Sequence, residues 1–582
     1  MRTKDNNENG GFSRNGAWPG GDGPVGGRAE RPLNGSGGNA ARLRSRVLVL
    51  ALVAAVLLLL GIRFFHYIPD DSYITLRYAR NVMEGEGFVF NEGQRLEGYT
   101  NFLWILMLVC AGKLGASLPL AARTLSFFFS CAVLVTAGYG AWANRTGREN
   151  GWTQALAIAA APILLAASPS FLTWSLSGTE IPLFTFLLLL GVVLLLDGRR
   201  PESAFTVFGI LGLVRPEGLL FYALAGSILI DGSRNKAKML LTGAAIFALI
   251  YAPYLVWKQA YFGELLPNTF YAKRAPAALA IKNGAHYLLG FTTRYGYFLV
   301  IGLLMLWKRT GVNRRAIIPL FFIAAHWLFI LLFGGDWMPH YRLLLPTLPL
   351  VTLLVSFGLM AIGRSAVDRP EDTCAAVDRP EDAPGDADDA PGNAGDAPGA
   401  AGNTSVNDKN KWSNPVPVVV TILVVLAMAP GGIGYDSFIT ERLAVKTFET
   451  LGRHLGETLP PGTRIALGST GAVGYYSRLH IIDILGLTER SIARSGRIVA
   501  TQPGHMKADG RHVLRRKPDL LLLGNIQIHQ GQRGESEMVI KVQERDILLQ
   551  PGFTKRFEFV NLPLGRGFFL SCYKRRDFMP PP

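Results

Sequence analysis

Two adjacent carboxylates, Asp70 and Asp71, follow the first long apolar segment of the sequence, residues 47–62. An apolar run of this length carries the chain through most of a bilayer, so we expect the pair at or slightly above the far membrane surface. Like charges this close tend to raise the pKa of one carboxyl group, which suits a general base. The alternative is structural, because an acidic residue at a helix N-terminus satisfies free N–H groups and the helix dipole.

An amphipathic helix is predicted to carry this pair. Apolar side chains recur at helical spacing from Tyr73 to Met83, while charged ones such as Arg77 point elsewhere. This pattern is typical of a helix that lies in the membrane interface. Gly85 and Gly87 are expected to end it.

The composition indicates an integral membrane protein. The 582 residues are 49% hydrophobic and their mean hydropathy is +0.24, which is too apolar for an ordinary soluble enzyme. The formal net charge of +16 does not indicate nucleic acid binding, because much of the Lys and Arg lies in short loops between apolar runs, where it orients the chain in the bilayer. The four cysteines occur singly, with neither a metal-ligand spacing nor a disulfide framework.

The apolar segments predict a polytopic α-helical membrane protein with about eleven spans. Arg42, Arg44 and Arg46 precede the first span, which places the N-terminus in the cytoplasm and Asp70 outside. The run at 102–114 is too short to span and is interpreted as an interfacial or re-entrant piece. The predicted spans are residues 47–62, 118–142, 153–167, 181–196, 204–214, 219–230, 239–257, 297–307, 316–333, 343–362 and 415–430.

The chain divides into five predicted regions. Residues 1–45 are rich in Gly, Asn, Arg and Pro and are predicted to be a disordered cytoplasmic N-terminus. Residues 46–363 form a transmembrane catalytic domain. An acidic low-complexity linker follows at 364–413, which we expect to be disordered and cytoplasmic. Residues 414–434 hold the last transmembrane helix, and 435–582 form an extracytoplasmic α/β domain.

Polar clusters collect on the side of the membrane that holds Asp70. Glu180 stands where a helix begins, so a role at that helix N-terminus is one explanation and substrate binding the other. Arg215 lies between two short spans and needs an anionic partner. That partner is either a carboxylate, Glu217 or Glu180, or the phosphate of a lipid.

The loop at 261–273 mixes aromatic side chains, an amide and a cation. Asn268 and Tyr271 are candidates for substrate binding, and Lys273 for phosphate binding. Aromatic rings stack on sugars, but they also form the interfacial belt of membrane proteins.

A third polar loop, residues 334–342, precedes a predicted span. Asp336 and Trp337 are candidates for substrate binding. Arg342 offers a fork for phosphate, and His340 can bind phosphate or move a proton. The alternative is that these side chains reach to the membrane surface without a further role.

The C-terminal region predicts a small α/β domain packed over the mouth of the active site. Strands are predicted at 464–467, 480–485 and 519–523. Glycines at 468, 471 and 474 lack the Gly-x-Gly opening of a dinucleotide-binding turn, so we do not expect a nucleotide there.

Three segments of the first outer loop resemble one known family. They are Asp-Asp-Ser-Tyr-Ile-Thr-Leu-Arg-Tyr-Ala-Arg-Asn, Gly-Phe-Val-Phe-Asn-Glu-Gly and Glu-Gly-Tyr-Thr-Asn-Phe-Leu-Trp. They are similar to the first extracytoplasmic loop of the terminal β-(1→2)-arabinofuranosyltransferases, which cap cell-wall arabinan and belong to the GT-C superfamily of polytopic glycosyltransferases. The resemblance runs from about residue 69 to 345 and resumes in the tail at Asp483-Ile-Leu-Gly-Leu-Thr-Glu.

The resemblance implies a polyprenyl-phosphate sugar donor and a first-loop aspartate that acts on the acceptor hydroxyl. We assign the second role to Asp70 or Asp71, and donor-phosphate binding to basic residues of the later loops. Substrate binding is expected from the polar residues of all these segments. The phosphate-binding candidates are Arg215, Lys273, His340 and Arg342, and the substrate-binding candidates are Glu97, Tyr99, Asn101, Glu180, Glu217, Asn268, Tyr271, Asp336 and Trp337.

We therefore predict a glycosyltransferase of the plasma (inner) membrane of a bacterium. It would move a sugar, arabinofuranose by resemblance, to a hydroxyl of an envelope glycan or lipid with inversion at the anomeric carbon. No cofactor is expected to be required; Mg²⁺ at the two aspartates is the alternative, but no other obvious ligands stand near them. The expected partners are the lipid-linked donor, the acceptor and the bilayer, and no nucleic acid.

Two other functions remain open from the sequence. One is another GT-C enzyme, of the O-mannosyltransferase or aminoarabinose transferase type. The other is a flippase or transporter of lipid-linked sugars without chemistry, although such a protein predicts charged residues in mid-span and repeated halves, which this sequence lacks. A structural scaffold would have no need of paired aspartates.

Overall fold

The computed structural model describes residues 35–65, 67–145, 151–310, 314–364, 416–428 and 435–579. Up to residue 428 the chain is mainly helical, and from 435 onward helices alternate with short strands. The helices of the first part are α1 (Gly35–Phe65), α2 (Asp70–Glu84), α3 (Phe102–Lys113), α4 (Leu118–Ala143), α5 (Trp152–Ala166), α6 (Pro169–Ser175), α7 (Ile181–Asp197), α8 (Pro201–Val214), α9 (Gly218–Asp231), α10 (Lys236–Phe262), α11 (Asn268–Lys273), α12 (Ala277–Thr310), α13 (Arg314–Phe333), α14 (Leu348–Arg364) and α15 (Val416–Met428).

Six helical segments of the described chain are long and apolar enough to cross a membrane, or seven if the bent pair of α5 and α6 counts as one span. Five shorter apolar helices, α3, α7, α8, α9 and α15, accompany them. A multi-pass membrane protein is therefore indicated, whereas the predicted number of about eleven spans stays a prediction. The six segments are Ala41–Gly61, Leu118–Ala143, Lys236–Phe262, Ala277–Trp307, Ala316–Phe333 and Leu345–Ile362.

Some predicted boundaries are wrong. Helix α1 begins at Gly35, so residues 35–45, predicted to be disordered, are helical. The short span predicted at 297–307 is only the last part of α12. This helix has 34 residues and begins at Ala277. The predicted linker at 364–413 lies outside the described residues except for Arg364, the last residue of α14.

Helix α2 is present where it was predicted, but it does not expose a charged face to the membrane interface, because Arg77 is buried as well. Gly85 ends it with a φ of 90°, a left-handed conformation that glycine adopts without strain. Tyr73, Leu76 and Ala79 are all buried. Helix α3, the predicted interfacial piece, packs against α2 and α4 and buries its Trp104. Helix α3 therefore contacts other helices on two of its sides.

The C-terminal part is an α/β domain built on one mixed sheet. Strand β1 pairs in parallel with β2 and β5, and β8 pairs antiparallel with β5, β6 and β7, so the order is β2-β1-β5-β8-β6. The three predicted strands are present as β1, β2 and β5. The elements are α16 (Tyr435–Thr458), β1 (Arg464–Leu467), α17 (Thr470–Ser477), β2 (His480–Asp483), α18 (Arg490–Ser495), β3 (Arg497–Ile498), β4 (Lys507–Ala508), α19 (Gly510–Arg515), β5 (Leu520–Leu522), β6 (Gln527–Gln530), α20 (Val542–Leu548), α21 (Phe553–Arg556), β7 (Phe557–Gly565) and β8 (Phe568–Arg575).

The first loop is fastened to this domain by the buried Arg77 of α2. Its guanidinium donates to the backbone carbonyl of Phe90 in its own loop, at 2.7 Å. It also donates to the carbonyls of Gly474 and Leu479 in the C-terminal domain, each at 2.8 Å. A buried arginine whose donors are satisfied by carbonyls from two regions holds those regions in a fixed relative position.

Candidate active site

The two adjacent aspartates have different surroundings, and Asp70 faces the C-terminal domain. Its side chain is buried, and its Oδ1 and Oδ2 accept hydrogen bonds from the backbone N–H groups of Ala472 at 2.7 Å and Gly471 at 3.0 Å. Burial raises the pKa of Asp70 to about 6 despite these two bonds. The alternative that Asp70 caps its own helix is wrong. Pro69 is the N-cap residue of α2, and no side chain caps this helix.

Asp71 points instead toward the polar loop at 334–342. Its Oδ2 accepts a hydrogen bond from Nη1 of Arg342 at 3.1 Å, and its side chain is 30% exposed. Arg342 also donates its Nε to Asp336 at 2.5 Å. Although burial acts in the opposite direction, the charges of Asp336 and Asp71 raise the pKa of Arg342 above its ordinary value. Of the two aspartates, Asp71 is the one that a substrate can reach.

Lys273, at the end of α11, contributes a second cation to this region. Its side chain is accessible to solvent although protein surrounds it, and a methyl group placed on Gly504 would touch its Cε at 3.8 Å. Burial and the charge of Arg342 lower the pKa of Lys273, and the charges of Asp336 and Asp71 oppose that shift. Within the described part of the chain its ammonium has no hydrogen-bond or ion-pair partner. It is a cation available to an anionic ligand.

The loop that carries Lys273 is held between the first loop and the C-terminal domain. The backbone N–H of Asn268 donates to the carbonyl of Glu97 at 2.9 Å. The Asn268 amide donates to the carbonyls of Gly486 and Leu487, each at 2.8 Å, and the side chain is only 2% exposed. Asn268, predicted to bind substrate, is therefore a connector that positions Lys273.

The partners of Arg215 are the carboxylates of Glu180 and Glu217, one of the two alternatives that the sequence left open. Its Nη1 donates to Glu180 at 2.6 Å and its Nε to Glu217 at 2.5 Å. Asn101 donates its amide to the other oxygen of Glu180 at 2.8 Å. Glu180 is the N-cap residue of α7, but its side chain serves this network and caps no backbone group. A phosphate could use Arg215 only in competition with two carboxylates.

Glu97 and Tyr99 are interior residues of the first loop. The Glu97 carboxylate is 3% exposed and pairs with Lys258 of α10 at 2.7 Å. Tyr254 donates its hydroxyl to the same carboxylate at 3.1 Å. Tyr99 is buried and packs edge-to-face on Tyr78, with ring centroids 4.8 Å apart. Neither predicted substrate-binding residue is open to a ligand.

The remaining candidates of the loops lie at the border with the C-terminal part. The His340 ring packs against Phe438, with centroids 5.6 Å apart, and burial lowers its pKa to about 4, so it is neutral at pH 7. A neutral His340 adds no charge for a phosphate. The Trp337 ring meets His505 at 5.0 Å in an edge-to-face contact. Tyr271 lies under the guanidinium of Arg494 at 4.3 Å.

Comparison with known proteins finds two curated enzymes that share one name. A terminal β-(1→2)-arabinofuranosyltransferase from Corynebacterium glutamicum is 29% identical over 348 residues, which are 52% of this chain and 49% of that protein. An enzyme of the same name from Mycobacterium tuberculosis is 28% identical over 338 residues, 51% of this chain and 53% of that protein. The chain is a relative of the terminal β-(1→2)-arabinofuranosyltransferases. It spans about half the length of the curated relatives it matches.

The fold of the chain is similar to that of ArnT. The crystal structure of ArnT from Cupriavidus metallidurans in the apo state superimposes with a TM-score of 0.52 and 12% identity, covering 91% of this chain and 98% of that chain. The predicted GT-C-like fold with a C-terminal α/β domain is thereby confirmed. A family model described as a domain of unknown function, DUF8728, matches residues 438–567.

Sequence analysis missed titratable side chains of the C-terminal part whose charges act on the aspartates or respond to them. Burial and the charges of Asp70 and Asp71 raise the pKa of Glu441, on α16, to about 7. Burial lowers the pKa of His505, and a hydrogen bond to the Pro503 backbone and the charge of Asp71 oppose that shift. No local pattern marks either residue, because they reach the site only through the docking of the C-terminal domain.

A further missed residue is Tyr67, three positions before Asp70. Its ring is 5% exposed and packs on Phe438 with centroids 5.1 Å apart. Its hydroxyl is buried and finds no hydrogen-bond partner among the residues described. Burial and the charge of Glu441 raise the pKa of Tyr67, so the hydroxyl keeps its proton as a donor. An orphaned buried donor costs free energy, which makes a ligand group its natural partner.

Proposed function

We propose that this protein is a membrane glycosyltransferase that moves a sugar from a polyprenyl-phosphate donor to a hydroxyl of an envelope glycan or lipid. The names of its relatives point to arabinofuranose as the sugar. The observation that carries the proposal is the pairing of an accessible carboxylate, Asp71, with an arginine beside the unpartnered ammonium of Lys273. A general base and cations for a departing phosphate are the two requirements of this reaction.

In the proposed mechanism Asp71 accepts the proton of the acceptor hydroxyl. The hydroxyl oxygen forms a bond to the anomeric carbon from the side opposite the phosphate, and the bond from that carbon to the phosphate oxygen breaks. The electron pair leaves on the phosphate, whose charge Lys273 and Arg342 stabilise. Attack from the opposite side inverts the anomeric configuration.

Arg342 links donor binding to the readiness of the base. In the described structure its Nη1 donates a hydrogen bond to Oδ2 of Asp71 and so occupies one lone pair of the carboxylate. The donor phosphate, a diester with one negative charge, competes for that N–H and frees Asp71 to accept the proton of the acceptor hydroxyl. Asp336 keeps the guanidinium in place throughout, because it is bonded to Nε and is itself buried.

The membrane placement belongs to the same proposal. Arg42, Arg44 and Arg46 at the start of α1 favour a cytoplasmic N-terminus in a bacterial plasma membrane, with Asp71 and the C-terminal domain outside. Labelling of single cysteines introduced at exposed C-terminal positions, such as Leu549, by an impermeant maleimide in whole cells tests this orientation. Labelling only after lysis would contradict it.

No metal is required in this mechanism. Groups of three or more His, Cys, Asp or Glu that could hold a metal ion are absent from the described residues. Independence from metal stays a prediction, and transfer assayed with EDTA and then with added Mg²⁺ tests it.

The deciding experiment is transfer by the purified full-length protein in lipid nanodiscs. A panel of synthetic polyprenyl-phosphate sugars is offered with cell-envelope glycan, and wild type is compared with Asp71→Asn. One donor should be consumed, and the substitution should lower turnover by about 100-fold or more. Consumption of a mannose or aminoarabinose donor would favour another enzyme of the superfamily. If no donor is consumed but the protein moves lipid-linked sugar across the bilayer of proteoliposomes, the transporter function replaces the enzyme.

A further inference from the structure

The N-terminus of α17 holds a carboxylate of its own chain. Free N–H groups and the helix dipole make a helix N-terminus a binding site for anions. Here the anion is Asp70, which accepts from the N–H groups of Gly471 and Ala472, both in the first turn. Since Asp70 and Ala472 are 402 positions apart in the sequence, this contact joins the first loop to the C-terminal domain.

The glycines of this turn show how closely the two parts approach. A Cβ on Gly471 would lie 1.8 Å from the backbone oxygen of Asp70, which no side chain could tolerate without a shift of the backbone. A Cβ on Gly474 would lie 2.8 Å from Nη1 of Arg77. By contrast, a Cβ on Gly468 would meet only the side chains of Leu485 and Ile484, at ordinary distances of 3.6 Å and 3.8 Å. Two of the three glycines are therefore explained by contact with α2.

Further contacts fix the same face of α2. Tyr73 donates its hydroxyl to Glu449 of α16 at 2.6 Å, and Arg80 donates to the carbonyl of Tyr475. Together with Arg77 they tie three successive turns of α2 to the C-terminal domain. The rotation and depth of this helix are thereby set from outside the membrane part.

We propose that Asp70 is a positioning residue, and that through it the domain at 438–567 fixes the orientation of Asp71. This inference rests on the proposed role of Asp71 as the base. Both Asp70 oxygens accept from backbone amides of the C-terminal domain and the residue is only 9% exposed, so a substrate hydroxyl has less access to Asp70 than to Asp71. Asp71 follows it by about 100° around the helix, which turns it toward Arg342.

The test uses Gly471→Ala, with Gly468→Ala as a matched control in the same turn. Restoring an ordinary contact of about 3.3 Å between the new Cβ and the Asp70 oxygen moves the two parts by more than about 1 Å. A displacement of this size at a reacting group costs on the order of 10²-fold in kcat. We expect that loss with little change in the donor KM, whereas Gly468→Ala should keep the turnover of wild type.

Hydrogen exchange provides a readout that does not depend on activity. The amides of residues 471 and 472 should lose protection in Gly471→Ala and in Asp70→Ala, together with amides of α2, and not in Gly468→Ala. Unchanged exchange in α2 would overturn the proposed coupling even if no sugar donor is ever found. Failure of the wild type to use any donor would overturn the proposed function alone.

Asp70→Asn separates positioning from base catalysis. If Asp70 is a positioning residue, this variant loses less turnover than Asp71→Asn, which lacks the base. A loss of about 100-fold or more in Asp70→Asn beside near-normal turnover in Asp71→Asn would make Asp70 the base and refute the inference.

Discussion

Asp71 and Arg342 are joined by a 3.1 Å hydrogen bond between residues 271 positions apart, and the same arginine is held from its other side by Asp336. One guanidinium thus reaches two carboxylates of unequal accessibility. The buried one fixes the arginine, and the accessible one is exchangeable for an incoming anion. This relationship makes Arg342 the residue whose replacement is most informative after the base itself.

Arg342→Lys should lower kcat/KM for the donor by about 10²-fold, because one ammonium cannot serve Asp336 and Asp71 from two nitrogens in the fixed geometry of a guanidinium. Steady-state transfer in nanodiscs measures the effect. Arg478→Lys is the control, since Arg478 is an exposed residue whose partner is Glu84. Equal activity of the two variants would remove Arg342 from the site.

Lys273→Gln should raise the donor KM by about tenfold or more, because an ammonium that contacts a phosphate contributes a hydrogen bond between charged groups. The neighbouring cation Arg274 is exposed, so Arg274→Gln serves as the control. Binding of a non-hydrolysable polyprenyl phosphonate analogue measures the change directly. A normal affinity in Lys273→Gln would leave the donor phosphate without this partner.

Tyr67→Phe should unfold at the same or a higher temperature than wild type, because it removes a buried hydroxyl that lacks a partner. If that hydroxyl donates to a substrate, turnover should fall by up to about tenfold. Tyr297→Phe removes another buried hydroxyl without a partner and should leave turnover unchanged. Full activity of Tyr67→Phe would show that the orphaned donor has no substrate role.

Glu97→Gln should destabilise the protein by about 3–5 kcal/mol, because it leaves the buried ammonium of Lys258 without its counter-charge. The double variant Glu97→Leu with Lys258→Met should recover much of this loss. Thermal unfolding in detergent measures both. A variant of Glu97 that raises KM with unchanged stability would restore the substrate-binding role predicted from the sequence.

Three buried carboxyl groups make stability depend on pH. Burial raises the pKa of Asp70 and Asp483 from 3.8 to about 6, and that of Glu441 from 4.5 to about 7. The folded protein therefore binds these protons more tightly than the unfolded chain. The stability they contribute is complete below about pH 4 and is lost as the pH rises to about 7.

The unfolding temperature should accordingly fall between pH 4.5 and pH 7.5, and Glu441→Gln should flatten the upper part of that decline. Differential scanning fluorimetry across this range gives the profile. A temperature that rises with pH over the same interval would contradict the assignment of these groups.

Local signals in the sequence were sufficient for the elements but not for their contacts. The spacing of apolar residues and the glycine at 85 predicted α2, and the predicted strand at 464–467 is β1. The motif that contains Asp71 located the candidate base. Each of these signals lies within a few residues of what it determines.

The misassigned residues share a physical reason. Capping of its own helix was the structural alternative for Asp70, but its carboxylate accepts from two backbone N–H groups of α17 instead. Asn268 and Glu97 carry polar side chains that suit a ligand equally well, and only the packed structure shows that Gly486 and Lys258 are their partners. The type of a polar residue tells which groups it can hydrogen-bond to, but the sequence does not tell which of those groups lies beside it in the folded protein.

The contact between Asp70 and α17 can form only late in the synthesis of the chain. Residue 70 leaves the ribosome long before residues 471 and 472, so the two halves of this contact meet only after nearly the whole polypeptide has been made. A nascent chain held in the membrane has its apolar helices but no anchored first loop. A chain that stops before α17 lacks the two amides that bind Asp70, so its first loop is without this anchor.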